Sequence, residues 1–286
     1  MSIYGRTDLA SEANGSWAAQ AESASAPPGV QVRQETLSGL SVTAVEILNT
    51  EGEQALGMPK GHYLTLELPE RFERGSGLFP AAAEALAALL GRFLSALPEG
   101  PVLVAALGNP DITPDAIGPL TASYTLVTRH LKQKEAALFG RFRETAVCRP
   151  GVLGTSGVES ALQLRALCAL LRPVCVLAVD ALAGTELEGL CRRVQLCDSG
   201  IAPGSGVGND RQALNEESLG VPVIALGVPT VIDASSLCSE EGVSRLFVTP
   251  RDIDSAVRSV SRILGYGINL ALHPGLGLAD IDLLIG

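Results

Sequence analysis

The sequence predicts an α/β fold of three layers, α/β/α, around a mostly parallel sheet. Two observations carry this. Short apolar runs alternate along the chain with longer stretches of helical period. Three of those runs, PVLVAAL at 101–107, PVCVLAV at 173–179 and VPVIALGV at 221–228, are apolar almost throughout. Strands covered on both faces look like that, whereas half-solvated strands alternate. Composition agrees, because aromatic residues are only 4% of a chain that is 47% hydrophobic. The core must then be built from Leu, Val, Ile and Ala.

The elements follow in order. Residues 1–36 read differently from the rest, and AAQAESASAPPG within them is small, polar and proline-bounded, as a mobile arm or linker is. Residues 37–286 read as a single α/β domain. VTAVEIL at 42–48 has strand character. HYLTLEL at 62–68 places Leu64, Leu66 and Leu68 against Thr65 and Glu67, the alternation of a half-buried strand. Pro80 opens a helix whose Leu86, Leu89, Leu90, Phe93, Leu94 and Leu97 form one apolar stripe, and Pro98 and Gly100 end it. After the strand at 101–107 and the loop GNPDITPD at 108–115, a helix is expected from Pro114 towards Leu131, strained by Pro119. VESALQLRALCALLR at 158–172 is an amphipathic helix leading into the strand at 173–179, which should stop at Asp180. Thr249, with Asp252 three residues on, reads as the cap of a last helix carrying Ile253, Val257, Val260, Ile263, Leu264 and Ile268.

Composition also excludes classes of function. The net charge is −10 and no run supplies a basic face, so nucleic acid is not an expected partner. No apolar run reaches the roughly 18–20 residues that span a bilayer, and the N-terminus lacks a secretory pattern. A cytoplasmic protein without a membrane partner is expected. The six cysteines include no CxxC pair, which argues for reduced core thiols rather than a zinc ribbon.

In a parallel sheet the ligand site lies at the carboxyl ends of the strands. The loop after 107 carries Asp111 and Asp115, and the run ending at 179 is followed by Asp180. A carboxylate placed directly after a buried strand is costly unless it is hydrogen-bonded or paired. Three readings are open: helix-terminus capping, a pair sharing one proton, or a divalent-cation site, with His130 as a further ligand. The glycine-rich stretch CDSGIAPGSGVGNDR at 197–211 lacks both the Walker and the GxGxxG spacing. Its Gly204, Ser205, Gly206, Gly208 and Asn209 are candidates for a substrate-binding or oxyanion loop, the alternative being a purely structural turn.

Taken together, RTDLA at 6–10, GNPDITPDAIGP at 108–119, TRHL at 128–131, PGVLGTSGVES at 150–160, VDALA at 179–183, DSGIAPGSGVGN at 198–209, GVPVIALGVPTVIDA at 220–234 and INLALH at 268–273 resemble the germination proteases of endospore-forming bacteria. The resemblance implies an endopeptidase that degrades small acid-soluble spore proteins in the forespore or spore core. It implies a homotetramer, made as a zymogen, with a fold like that of the hydrogenase maturation proteases. It places the family's two catalytic aspartates on Asp115 and Asp180, acting as a bare pair without cofactor or through a divalent metal. Thr7-Asp8-Leu9-Ala10-Ser11-Glu12 resembles the family's cleavage site, which makes 1–8 a propeptide, cut between Asp8 and Leu9, and 9–36 the arm. The alternatives are a metal-dependent, maturation-type protease and a non-catalytic binding module. One departure stands out: only SSLCSEEGVSRLF fills the stretch after Asp233, where the family carries a long charged segment.

Overall fold

The structure is a computed structural model that describes residues 7–22, 25–69, 77–204, 211–237 and 246–285. Its centre is a nine-stranded sheet. The strands are β1 (Val30–Leu37), β2 (Leu40–Ile47), β3 (Gly61–Glu67), β4 (Val102–Ala106), β5 (Thr145–Cys148), β6 (Cys175–Gly184), β7 (Arg193–Cys197), β8 (Val223–Asp233) and β9 (Phe247–Val248). They lie in the order β1-β2-β3-β7-β8-β6-β4-β5, with β9 on β8. The helices are α1 (Ala10–Gln20), α2 (Thr50–Leu56), α3 (Leu78–Leu94), α4 (Ile117–Ser123), α5 (Arg129–Lys134), α6 (Ala136–Phe139), α7 (Leu153–Ser156), α8 (Ser160–Leu171), α9 (Glu216–Leu219), α10 (Ile253–Leu272) and α11 (Leu278–Ile285).

One face of the sheet packs against α3, α4 and α10 through Leu86, Leu90, Ile117, Ile263 and Leu264. The other is covered in two parts. Leu164 and Cys168 of α8 lie over β4 and β6, while Ala10 and Leu56, from α1 and α2, lie over β2, β3 and β7. Layers on both faces explain the continuous apolar runs.

The expectation of a mostly parallel sheet is corrected. Only β5-β4, β4-β6 and β6-β8 pair in parallel; β1, β2, β3, β7 and β9 all join antiparallel. The fully apolar runs fall in the parallel part, and the antiparallel strands were partly overlooked because β1 and β7 carry polar side chains. β3 is not half-buried, since Thr65 is buried as well as Tyr63, Leu64 and Leu66. β6 does not stop at Asp180 but runs on to Gly184, still paired with β8.

The helix expected over 114–131 is broken. A single 3-10 turn, Thr113–Asp115, precedes α4, which begins where Pro119 falls in its first turn, the position at which a missing N–H costs nothing. Asn269 of α10 then holds the chain leaving α4: its Oδ1 accepts from the Leu126 N–H at 2.8 Å, and its Nδ2 donates to the Tyr124 carbonyl at 2.8 Å. Thr249 does not cap α10, because its hydroxyl donates to the Thr230 carbonyl at 3.0 Å. The stretch read as an arm over 9–36 contains α1 and most of β1. Cys168, Cys175, Cys191 and Cys197 are buried free thiols, Cys148 is half-buried, and Cys238 lies outside the described residues. No helix among the described residues is long and apolar enough to cross a membrane.

Candidate active site

Asp115, in the turn that follows β4, and Asp180, within β6, lie near enough for the charge of the first to act on the second. The Leu107 N–H, at the end of β4, donates to the Val179 carbonyl of β6 at 2.8 Å, which holds the loop after β4 against β6. Gly118 lies so close to Leu107 and to the Val179 carbonyl that any side chain there would collide with backbone. The Asn109 N–H turns back to the Asp115 carbonyl at 3.0 Å and to its carboxylate Oδ2 at 2.9 Å. Asp115 therefore sits at the strand end, accepting from the loop, while α4 begins without a side-chain cap. Asp180 is 4% exposed, and its Oδ1 accepts from the Ala181 N–H at 2.9 Å.

Burial pushes the Asp180 carboxyl well above the usual range, and the charges of Asp115 and Asp8 push it the same way; the Ala181 N–H and Arg211 oppose them. Burial also raises Asp115, against the Asn109 N–H and Arg211. Both carboxyls are therefore raised chiefly by burial, and the charge of Asp115 adds to the shift at Asp180.

The N-terminal segment lies beside this pair. Gln195 of β7 and Asp180 of β6 are both paired in register with Gly227 of β8, which lies between them. Residues at one level of a sheet project to the same face, and the space that a side chain on Gly227 would need is taken by the side chain of Leu182. The Asp8 N–H donates to the Ala183 carbonyl at 2.9 Å, and the Ala183 N–H donates to the Asp8 carboxylate at 2.9 Å. The Gln195 Nε2 donates to the Asp8 carbonyl at 2.8 Å, and its Oε1 accepts from the Ala10 N–H at 2.7 Å. Both ends of the Gln195 amide are thereby oriented by their partners. The peptide bond between Asp8, at a bend, and Leu9, which is extended, is bridged on one side by Gln195 and tied on the other to β6 just beyond Asp180. Leu9 is fully buried. Beside the segment opens a cavity of about 750 Å³ lined by Asp8, Trp17, Tyr63, Gln195, Cys197 and Gly227.

Of the loop residues expected to bind substrate, Gly204 lies in a turn with φ +74°, and Ser205, Gly206, Gly208 and Asn209 lie outside the described residues. His130 is exposed on α5. Among the described residues no three His, Cys, Asp or Glu side chains gather as a metal site, so Asp115, Asp180 and His130 are not assembled as one. His273 is buried beside Phe142, and its ring nitrogens have no hydrogen-bond partner among the described residues.

Gln195 and Arg211 were missed by sequence reasoning. A polar residue inside the alternation Val194-Gln195-Leu196 was the available signal for the first. Arg211 ends the glycine-rich stretch, and its charge acts on both aspartates.

The model of the family described as peptidase A25, germination protease, matches residues 6–243. A germination protease of Caldanaerobacter subterraneus subsp. tengcongensis is 37% identical over 321 aligned positions, covering 98% of this chain and 98% of that protein. One from Clostridium perfringens is 37% identical, covering 89% of this chain and 91% of that protein, and one from Clostridium tetani is 35% identical, covering 97% and 98%.

Proposed function

Since the chain belongs to the germination protease family, and is thereby a peptide hydrolase, we propose that it cuts peptide bonds with Asp115 and Asp180, and that its first substrate is its own Asp8–Leu9 bond. The observation carrying this reading is that bond's position: the Asp8 carbonyl accepts from Gln195 at 2.8 Å while the Asp8 charge is felt by Asp180. A tethered segment has an effective concentration in the mM range, so even a weak site is occupied.

The unequal burial of the two carboxyls assigns their roles. Asp180 holds a proton, and Asp115, less buried, is the carboxylate. Asp115 takes a proton from a water molecule as the water oxygen bonds to the Asp8 carbonyl carbon. The Gln195 amide stabilises the charge that develops on the carbonyl oxygen. The bond to the Leu9 nitrogen then breaks, and that nitrogen takes the proton of Asp180. The pair ends with its proton exchanged between partners, ready for a second turnover after one further transfer. If a divalent cation takes part, the two aspartates are the ligands the chain offers, with hard oxygen donors that suit such an ion.

The family suggests the wider setting: small acid-soluble spore proteins as substrates, a homotetramer, synthesis as a zymogen, and a place in the spore core. Such substrates fit physically, because a site that holds several residues of backbone needs a chain that is not already folded. The test is self-cleavage of the full chain. The parent yields a product beginning at Leu9, whereas Asp180→Asn and Asp115→Asn fold but remain uncut. An Asp180→Asn protein that trims itself at the parent rate would end the proposal.

A further inference from the structure

A cut between Asp8 and Leu9 leaves α1 attached to the enzyme, with Leu9 as its new first residue. Leu9 directly precedes the first turn of α1, and Glu12 is the third residue within it. At that spacing a glutamate can reach back to the N–H that precedes the helix. Here a hydroxyl stands between the two: Thr7 Oγ1 accepts from the Leu9 N–H at 3.1 Å and donates to Glu12 Oε2 at 2.7 Å. Glu12 is only 1% exposed. Its Oε2 also accepts from the Thr185 N–H at 2.7 Å and the Thr185 hydroxyl at 2.9 Å, and its Oε1 accepts from Arg193 at 3.0 Å. Arg193 in turn meets Glu67 at 2.7 Å and Glu186 at 2.6 Å, so one guanidinium faces three carboxylates.

Water added across the Asp8–Leu9 bond leaves a carboxylate on Asp8 and an α-ammonium on Leu9. Thr7 departs with residues 1–8, and a buried carboxylate oxygen loses one of its donors. From this we infer that Glu12 is the binding site for the chain's own new amino terminus: the Leu9 ammonium takes the place of the Thr7 hydroxyl on Oε2, and α1 stays in the active site as a tethered product that competes with other peptide substrates. This rests on the cut proposed above and adds to it the fate of the new end. An ammonium brings three donors, and it brings positive charge to a cluster in which carboxylates outnumber the guanidinium. The dipole of α1 opposes a cation at its first turn, so the ammonium depends on Glu12 and not on the helix. The remaining anchors of α1 all lie after the cut. The Ala10 N–H donates to Gln195 at 2.7 Å, Leu9 and Ala10 are fully buried, and Ala10, Ala13 and Trp17 pack in one cluster with Val45, Tyr63 and Cys197. Leu9 and Ala10 thus occupy the place that the residues after the cut bond of any other substrate need. Being tethered, they compete at an effective concentration in the mM range.

The experiment follows amide exchange in α1 of the self-trimmed protein and compares it with the uncut Asp180→Asn chain. The trimmed parent is expected to exchange within about 3-fold of the uncut chain, because the ammonium restores what Thr7 supplied. Acetylation at about pH 6.5 favours the α-amine over the three lysines, Lys60, Lys132 and Lys134, whose amines hold their protons more tightly. It removes the charge of Leu9 and is expected to speed exchange in α1 by about 10-fold or more. Glu12→Gln is expected to speed exchange in the trimmed protein likewise, and to leave acetylation without further effect. Exchange of α1 at free-chain rates in the trimmed parent, or exchange unmoved by acetylation, overturns the site. With a synthetic peptide of residues 3–14 as substrate, acetylated enzyme is expected to show a KM about 5-fold lower at unchanged kcat, as for a weakened tethered competitor. An unchanged KM overturns the competition. A full chain that never trims itself refutes the protease reading instead. Leu9 is then freed by removing a fusion placed directly before it, and the same exchange comparison, with and without acetylation, decides the ammonium site.

Discussion

Replacing Gln195 by methionine keeps the length of the side chain and removes both of its hydrogen bonds. The structure sets the scale of the loss. The bond to the Ala10 N–H, at 2.7 Å, and that to the Asp8 carbonyl, at 2.8 Å, lie on a side chain only 5% exposed. Each is worth about 1 kcal/mol net in the ground state, or about 2 kcal/mol if its partner is left buried and unsatisfied. Docking of the segment is weakened by about 2–4 kcal/mol on that basis. The Asp8 carbonyl contact gains strength as charge builds on the oxygen, and losing one such donor costs about 10²–10³ in rate. Gln195→Glu separates the two effects, because its carboxylate still accepts from Ala10 while the donor to Asp8 is gone. In single-turnover self-cleavage followed by mass spectrometry, both variants are expected to fall at least 100-fold. Amide exchange at Ala10, measured in the Asp180→Asn background, is expected to rise in Gln195→Met and to stay closer to the parent in Gln195→Glu. Self-cleavage of Gln195→Met within about 3-fold of the parent, with the thermal midpoint unchanged, would refute the role given to this amide.

Asp180→Asn is expected to raise the thermal midpoint at pH 7. The raised Asp180 pKa means the folded chain holds a proton that the unfolded chain releases above 3.8, so stability falls as pH rises through that window. The advantage of the Asn variant should vanish below pH 3.8, where Asp180 is protonated in both states, and a pH-independent difference would count against the shift. His273 works in the opposite sense. Burial, with Lys132 and Arg143 nearby, pushes its imidazole down to about 4 from 6.5, so the unfolded chain gains a proton first as pH falls. The parent is expected to lose about 3 kcal/mol between those two pH values, and His273→Leu should flatten that slope in urea titrations. Gly118→Ala drives a methyl group into the Leu107 and Val179 backbone, and a loss of about 3 kcal/mol in chemical denaturation is expected. Because those two residues join the end of β4, whose following loop carries Asp115, to β6, which carries Asp180, self-cleavage should fall in the same variant under conditions where it stays folded.

Local chemistry made much of the core legible. The apolar runs that became β4, β6 and β8 need only their own side chains to be recognised, and so do the stripes of α3, α8 and α10. Asp115 and Asp180 drew notice for a related reason: a carboxylate beside an apolar run is conspicuous in the sequence, although β6 continues through Asp180 to Gly184. The antiparallel half of the sheet was harder to read, because strands such as β1 and β7 are defined by pairing with distant partners, and pairing leaves little trace in short, partly polar runs. Helix boundaries around Pro119 depended on Asn269, about 150 residues away.

The sequence by itself determined which residues are apolar and which acids lie beside the apolar runs, since these follow from side-chain chemistry and spacing. Only the tertiary structure decided that Gln195, Gly227 and Asp180 share one level of the sheet, that the N-terminal segment lies beside them, and that Glu12 meets Thr185 and Arg193. Those contacts join residues up to 187 positions apart, and no local rule of periodicity or propensity acts over such a distance. They arise when a strand register and a packed helix fix side chains in common space.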